Sequence, residues 1–420
     1  MTKTNFNAVI DRKGTFCTQW DYIEDRFGQA DLLPFTVSDM DVLVAPAIMT
    51  ALNERMQHQL FGYTRWNHAY YKEAITNWYH ERYQTTIESD WLVYSPAVIF
   101  SVAKLIEMWS QPGEGVLIQT PAYDAFFKVI EANGRHVVDN RLLYQDGQYT
   151  IDFSDLETKL ALPTTRVLLL CSPHNPTGRV WTTAELAEVI TLCERHHVKI
   201  ISDEIHMDIS RASIAVHPLV QQQRYLQHIA ICTSASKTFN TPGLIGSYCV
   251  IPSEMERERF LYSLKNKNGL SSTSILGMIS TVAGYEEGGD WLDDLNTQIT
   301  SNLTLIKDFL AAELPAIRFN IPEATYLAWL DVSGLNVTAA DLQHALINVG
   351  KVAIMPGSTY DPHNDQFIRF NVGCSRAKLL EGLQRLKRAV TFLEKKQLRA
   401  LTKIRVITCR YNDNSVYFML

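Results

Sequence analysis

Three short stretches of this chain carry residue types that do chemistry together. Ser172-Pro-His-Asn-Pro-Thr-Gly178 contains the amide Asn175, Ser202-Asp-Glu-Ile-His206 the carboxylate Asp203 and the imidazole His206, and Thr233-Ser-Ala-Ser-Lys-Thr-Phe-Asn240 the amine Lys237 with hydroxyls at Ser234 and Ser236. Taken singly, each has a plainer reading: Asn-Pro-Thr-Gly makes a good turn, an aspartate caps a helix, and a lysine among serines is solvated. Taken together they supply what one cofactor, pyridoxal phosphate, requires: an amine for a Schiff base, a carboxylate to keep the pyridine nitrogen protonated, and a phosphate cup. Lys237 is the candidate amine, Asp203 the carboxylate, Ser234 and Ser236 the cup, and Asn175 a donor to the ring's phenolic oxygen. Ser234-Ala-Ser-Lys237 also fits the S-x-x-K nucleophile motif of penicillin-binding enzymes. The companion S-D-N and K-T-G elements are missing, because Glu204 follows Asp203 and Phe239 follows Thr238.

Each of the three stretches follows a short apolar run, and those runs must position them. Arg166–Cys171, Val198–Ser202 and His228–Cys232 read as strands buried on both faces, as does Gly115–Gln119. Between them, Asp124–Ala132 and Thr183–His197 read as helices, the second with apolar residues at 186, 189, 190 and 193 and a cap at Thr182 or Thr183. Strands alternating with helices predict an α/β fold with a mostly parallel central sheet, and such sheets bind ligands beyond their carboxyl ends. There Tyr123 is placed to stack on a cofactor ring, although an ordinary core aromatic would read the same way. A helix opening after Ser95-Pro-Ala-Val-Ile99 would aim free backbone amides at a phosphate. Past Ser271 the texture changes to helices over 271–286 and 291–313, strands at Thr325–Val332 and Gln366–Phe370, and helices over 339–348 and 376–396. This predicts a smaller α+β domain, formed by 1–44 and 286–396, beside a large domain over 45–285. From Ile404 to Leu420 the helical pattern fades, which predicts a loose tail or an edge strand within 397–420.

Composition narrows the function. The chain has 420 residues, 46% apolar and 20% charged, with a formal charge of −6. That is a globular balance, and an acidic one that disfavours a nucleic-acid partner. No apolar run approaches the about 20 residues that span a bilayer, so no membrane partner is expected, and the first residues lack the apolar centre of a signal peptide. The seven cysteines include no C-x-x-C pair, so they read as structural thiols in a reducing, cytoplasmic setting, and no metal site is expected.

The motifs SPHNPTG, SDEIH and SASKTFN resemble those of fold-type I, class I/II aminotransferase-like pyridoxal phosphate enzymes. The chain more narrowly resembles the MalY/PatB-type bacterial cystathionine β-lyases. That closer likeness rests on LPFTVSDMD at 33–41, FGYTRW at 61–66, TPAYDAF at 120–126, SDEIHMD at 202–208, YLAWLD at 326–331 and VAIMPG at 352–357. The resemblance implies Lys237 as Schiff-base lysine and base, with Asp203, Asn175, Tyr123 and His206 around the ring. It implies Ser234, Ser236 and the amides of Val98 and Ile99 on the phosphate, and Arg369 on the substrate α-carboxylate. Tyr63 matches a tyrosine that reaches the phosphate of a neighbouring subunit, which implies a homodimer with shared active sites. The implied reaction is β-elimination from L-cystathionine and related S-substituted cysteines. An aminotransferase on the same scaffold is the alternative, and a regulatory protein acting through protein contact a further one. Two features depart from the family pattern: Ile245 stands where many aminotransferase relatives place an arginine eight residues after the lysine, and the loop Ile209–Val216 fits poorly.

Overall fold

The computed structural model describes residues 4–413, with side chains through 399. Seven strands form the larger sheet in the order Leu92–Ser95, Ser247–Val250, Ile229–Thr233, Lys199–Asp203, Thr165–Cys171, Gly115–Ile118, His136–Asp139. Only Ser247–Val250 opposes its neighbours; the remaining pairs are parallel. The expected α/β class with a mostly parallel sheet is therefore what the chain adopts. Its central strands are apolar without alternation because both faces are covered: Val167, Leu168, Ile200, Ile201, Ala230 and Ile231 are fully buried. Helices Val98–Trp109, Asp124–Ala132 and Thr183–Arg195 make the crossovers. The last is capped by Thr182 in a reciprocal box with Glu185, which resolves the choice between Thr182 and Thr183.

A second sheet runs Leu33–Phe35, Val352–Pro356, Phe367–Asn371, Leu327–Asp331. The N-terminal strand enters parallel to Val352–Pro356, whereas the other pairings are antiparallel. The segment after Phe35 is then clamped from both sides. Asn240 Nδ2 donates to the carbonyls of Met40 and Val42, and Asn371 Nδ2 to those of Val37 and Asp39.

The C-terminal expectation needs correction. A single helix runs Arg376–Asp413, so Ile404–Asp413 is neither loose nor strand; residues 414–420 lie outside the described residues. Ile404, Val406 and Ile407 are weak helix formers, but each costs only about half a kcal/mol. A helix already nucleated upstream propagates through them. The helix expected over 339–348 is α-helical to Ala345 and closes with one wider turn over Leu346–Gly350.

Candidate active site

Strand register brings the three chemical stretches level. Asp203 lies opposite Cys171 on one side and Cys232 on the other. Asn175 and Lys237 each follow a strand end, Cys171 and Thr233, by four residues. Lys237 sits in a single helical turn, Ala235–Thr238, where the Ser236 N–H donates to the capping Ser234 Oγ at 3.0 Å. Together with helix Val98–Trp109 these elements close a cavity of about 420 Å³ beyond the carboxyl ends of the parallel strands. Its wall includes Asp203, Asn175, Lys237, Tyr123, Ser234, Ser236, Val98, Ile99 and His206.

Burial dominates the electrostatics. It pulls the Lys237 amine down to about 8, with Arg369 adding repulsion and Asp39 and Asp203 opposing. It pushes the Asp203 carboxyl up to about 7, against the Ile205 N–H donated to Oδ1 at 3.1 Å and the nearby Lys237 charge. His206 falls to about 3 through burial and then the charges of Lys237 and Arg369, so the ring is neutral, and its Nδ1 has no partner. Lys237 Nζ donates to the carbonyl of Ser38, which also accepts from Tyr326 Oη at 2.8 Å.

The cavity wall also offers an anion cradle. Helix Val98–Trp109 begins at Ala97 without a side-chain cap, so its first N–H groups are free. Ser234 Oγ lies 2.6 Å from the Gly246 carbonyl and 2.8 Å from Ser236 Oγ. A free helix N-terminus, two hydroxyls, a buried carboxylate and an amine of lowered pKa lining one cavity suit a phosphorylated pyridine aldehyde. Ile245 lines the cradle in the left-handed region at φ 55°, uncommon for a β-branched residue.

Two expected residues stand apart from the cavity wall. Arg369, on strand Phe367–Asn371, is buried behind it and donates to Asn175 Oδ1 at 3.1 Å and to the Thr36 carbonyl at 2.8 Å. Its guanidinium lies 4.5 Å from the Tyr360 ring centroid, and its Nε has no protein partner. Tyr63 is 100% exposed and touches nothing in the cavity of its own chain. Sequence reasoning assigned no part to Ser38, Asp39 or Tyr326. The first two lie within the quoted LPFTVSDMD stretch, yet no periodicity marks them; the clamp by Asn240 and Asn371, with Tyr326 on the Ser38 carbonyl and Arg12 on Asp39, holds them at Lys237.

Glu204, beside Asp203, faces away from the cavity. Its Oε1 accepts from Ser202 Oγ at 2.8 Å and from the Leu219 N–H at 2.9 Å, whereas Oε2 is buried without a partner. Burial raises this carboxyl to about 8. The folded protein thus holds a proton that the unfolded chain releases near the ordinary value, so this group's contribution to stability falls as pH rises toward 8. Glu204→Gln keeps the Oε1 acceptor and cannot ionise. Its melting temperature should gain on the wild type between pH 5 and pH 8; parallel melting curves across that range would refute the assignment.

The sequence pattern of the family described as aminotransferase class I and II matches residues 30–386. Over 386 residues the chain is 48% identical to Protein MalY of Escherichia coli, covering 92% of this chain and 98% of that protein. It is 38% identical to Cystathionine beta-lyase PatB of Bacillus subtilis over 388 residues, 92% and 100% of the two chains. The solved structure of the PLP-bound C-S lyase from Staphylococcus hominis superposes with a TM-score of 0.87 at 30% identity, covering 93% of this chain and 98% of that one. With that extent of match, carried by the same motifs that line the cavity, the chain belongs to the aminotransferase class I and II family and is of the MalY/PatB type.

Proposed function

We propose that this protein is a pyridoxal phosphate-dependent C–S β-lyase that cleaves L-cystathionine and related S-substituted cysteines to a thiol, pyruvate and ammonia. The observation that carries the reading is the meeting of Lys237, Asp203 and an anion cradle in one cavity, in a chain that resembles a cystathionine β-lyase over 92% of its length. When bound, the cofactor supplies an electron sink that lowers the acidity barrier at the substrate's α carbon. Asp203 holds the pyridine nitrogen in its protonated form, and its buried setting makes that charge-assisted hydrogen bond a strong one. Ser234, Ser236 and the first amides of the helix at Val98 and Ile99 bind the phosphate, while Asn175 and Tyr123 orient the ring and neutral His206 fills the wall beside it. Arg369 clamps the substrate α-carboxylate, a task suited to a planar guanidinium; Asn175 and Thr36 fix its orientation and leave Nε free.

Lys237 takes the proton from the α carbon. An amine with its pKa drawn to about 8 is partly unprotonated at neutral pH and is therefore a competent base there. The Cβ–S bond then breaks with its electron pair leaving on sulfur, and the thiolate gains a proton. Water converts the three-carbon remainder to pyruvate and ammonia. Amino transfer, the second reading, and a purely regulatory role are not favoured by the relatives. Purified holoenzyme given L-cystathionine with no ketoacid acceptor should release pyruvate and free thiol in equal amounts. Amino transfer to 2-oxoglutarate without pyruvate would overturn the lyase reading.

The working unit in this reading is a homodimer. Leu60, Phe61 and Tyr63 form an exposed apolar run whose coverage by a second copy would carry Tyr63 to that copy's phosphate cradle. A mixture of Tyr63→Ala and Lys237→Ala chains, each nearly inactive alone, should regain activity, because a hybrid dimer holds one site with both native residues. No recovery after subunit exchange would argue against shared sites. We further assign 45–285 to the large domain and 1–44 with 286–396 to the small one, since the strands of each sheet fall within those ranges. A cytoplasmic setting is supported by six buried cysteines that remain free thiols. No helix among the described residues is long and apolar enough to cross a membrane.

A further inference from the structure

A second cavity, of about 930 Å³, opens between the loop over 209–217, the end of helix Ala69–Tyr83 and helix Gly289–Glu313. It shares no residue with the cofactor cavity, and it is walled by the loop that departs from the family pattern. Arg211 lines it and is only 7% exposed. The guanidinium donates from Nη2 to the Thr325 carbonyl at 3.0 Å, but Nε and Nη1 are buried without a partner.

The neighbouring acids are already engaged. Asp208 accepts from Trp78 Nε1 at 2.9 Å, from Thr238 Oγ1 at 2.5 Å and from Tyr83 Oη. Asp293 pairs with Arg82 at 2.7 Å, and Glu323 with Arg179 at 2.8 Å. Across the cavity wall Asn296 donates Nδ2 to the Asp208 carbonyl at 3.0 Å, and its Oδ1 is likewise buried and unpartnered. Arginine does not shed its proton in a protein, so a buried guanidinium lacking a counter-ion is a standing electrostatic cost that an anion would relieve. Burial alone lowers its pKa, to about 10, which leaves it charged at neutral pH.

We propose that this cavity is a binding site for a small metabolite bearing an oxyanion, a carboxylate or a phosphate, held by the unpaired N–H groups of Arg211, with a donor group of the ligand on Asn296 Oδ1. The site is wired to the catalytic one. Arg211 N–H donates to the Glu323 carbonyl and Thr325 N–H to that of Ile209. The next residue, Tyr326, shares the Ser38 acceptor with Lys237. Asp208 holds Thr238, the residue after Lys237. An occupant therefore bears on the backbone at both ends of the lysine's setting, as an effector would.

The test needs no substrate, so its failure would leave the lyase reading untouched. Holoenzyme is titrated at constant ionic strength with inorganic phosphate and, separately, with succinate, and the melting temperature is followed. At a concentration about tenfold above the dissociation constant, at least one anion should raise the wild-type value by about 2 °C. Arg211→Met should show no rise. A response to phosphate alone assigns a phosphate-bearing ligand, and one to succinate alone a carboxylate. Ala212→Asp sets a competing carboxylate at an exposed position of the same wall and should abolish the response as well, should the Arg211 variant fail to fold. An undiminished rise in the folded variants, or no rise in the wild type with either anion, would overturn the proposal.

Discussion

Replacing Lys237 by alanine should lower the rate of pyruvate release from L-cystathionine by about 10³-fold or more. Loss of a positioned general base alone accounts for factors of about 10² to 10⁴, and in the proposed mechanism this amine is also the covalent tether for the cofactor. The protein should stay folded. Lys237 occupies one exposed-to-cavity turn, and its single protein acceptor, the Ser38 carbonyl, keeps the Tyr326 hydroxyl as a donor. The cradle of Ser234, Ser236 and the helix at Val98 is untouched, so the variant should still bind cofactor non-covalently. Added methylamine should restore part of the turnover, since it returns the missing functional group and nothing else. Wild-type rates in the purified variant would remove Lys237 from the role of base.

Asp203→Ala should cut kcat by about 100-fold, with a smaller change in KM. A charge-assisted hydrogen bond in a buried site is worth about 1.5–3 kcal/mol, and here it acts where the ring must accept electrons rather than where substrate is gripped. The contrast with Arg369→Ala, whose loss should fall mainly on kcat/KM through weaker binding of the carboxylate, separates the two functions. Burial sets the carboxyl near 7 even with the Lys237 charge nearby. A protonated ring nitrogen beside it would draw that value down. The visible absorption of the bound cofactor should therefore stay constant through neutral pH in the wild type and titrate in Asp203→Ala. Identical spectra and kinetics in the two proteins would exclude Asp203 as the partner of the ring.

Much of the scaffold was legible in the chain because its cues are local. Continuous apolar runs such as Leu168–Leu170 and Ile200–Ile201 can be buried on both faces only inside a covered parallel sheet. Thr182 and Thr183 mark a helix start to within one residue, and the reciprocal box with Glu185 then selects Thr182. Elements with weak local cues were harder. Leu92–Ser95 and Ser247–Val250 are four-residue strands with mixed polarity, and nothing within them shows that one will run against the rest of the sheet. At the C-terminus the β-branched residues after Lys403 obscured a helix that gains its stability from the turns before it.

Within the cavity, residue types and the strand ends that carry them could be read from the chain: Asn175 and Lys237 follow an apolar run by a few residues, and Asp203 closes one. Their meeting depends on register, which levels Cys171, Asp203 and Cys232 across three strands. Tertiary structure alone decided the rest. Ser38 covers Lys237 because asparagines 200 and more residues away hold an irregular segment in place. Arg369 reaches Asn175 across 194 residues of sequence, and Arg211 is left without a counter-ion because every nearby acid found another partner. Periodicity and turn chemistry are properties of neighbours along the chain, so a sequence displays them directly. Hydrogen-bond partnership and the lack of it are properties of neighbours in space, and they exist only once the two sheets have packed.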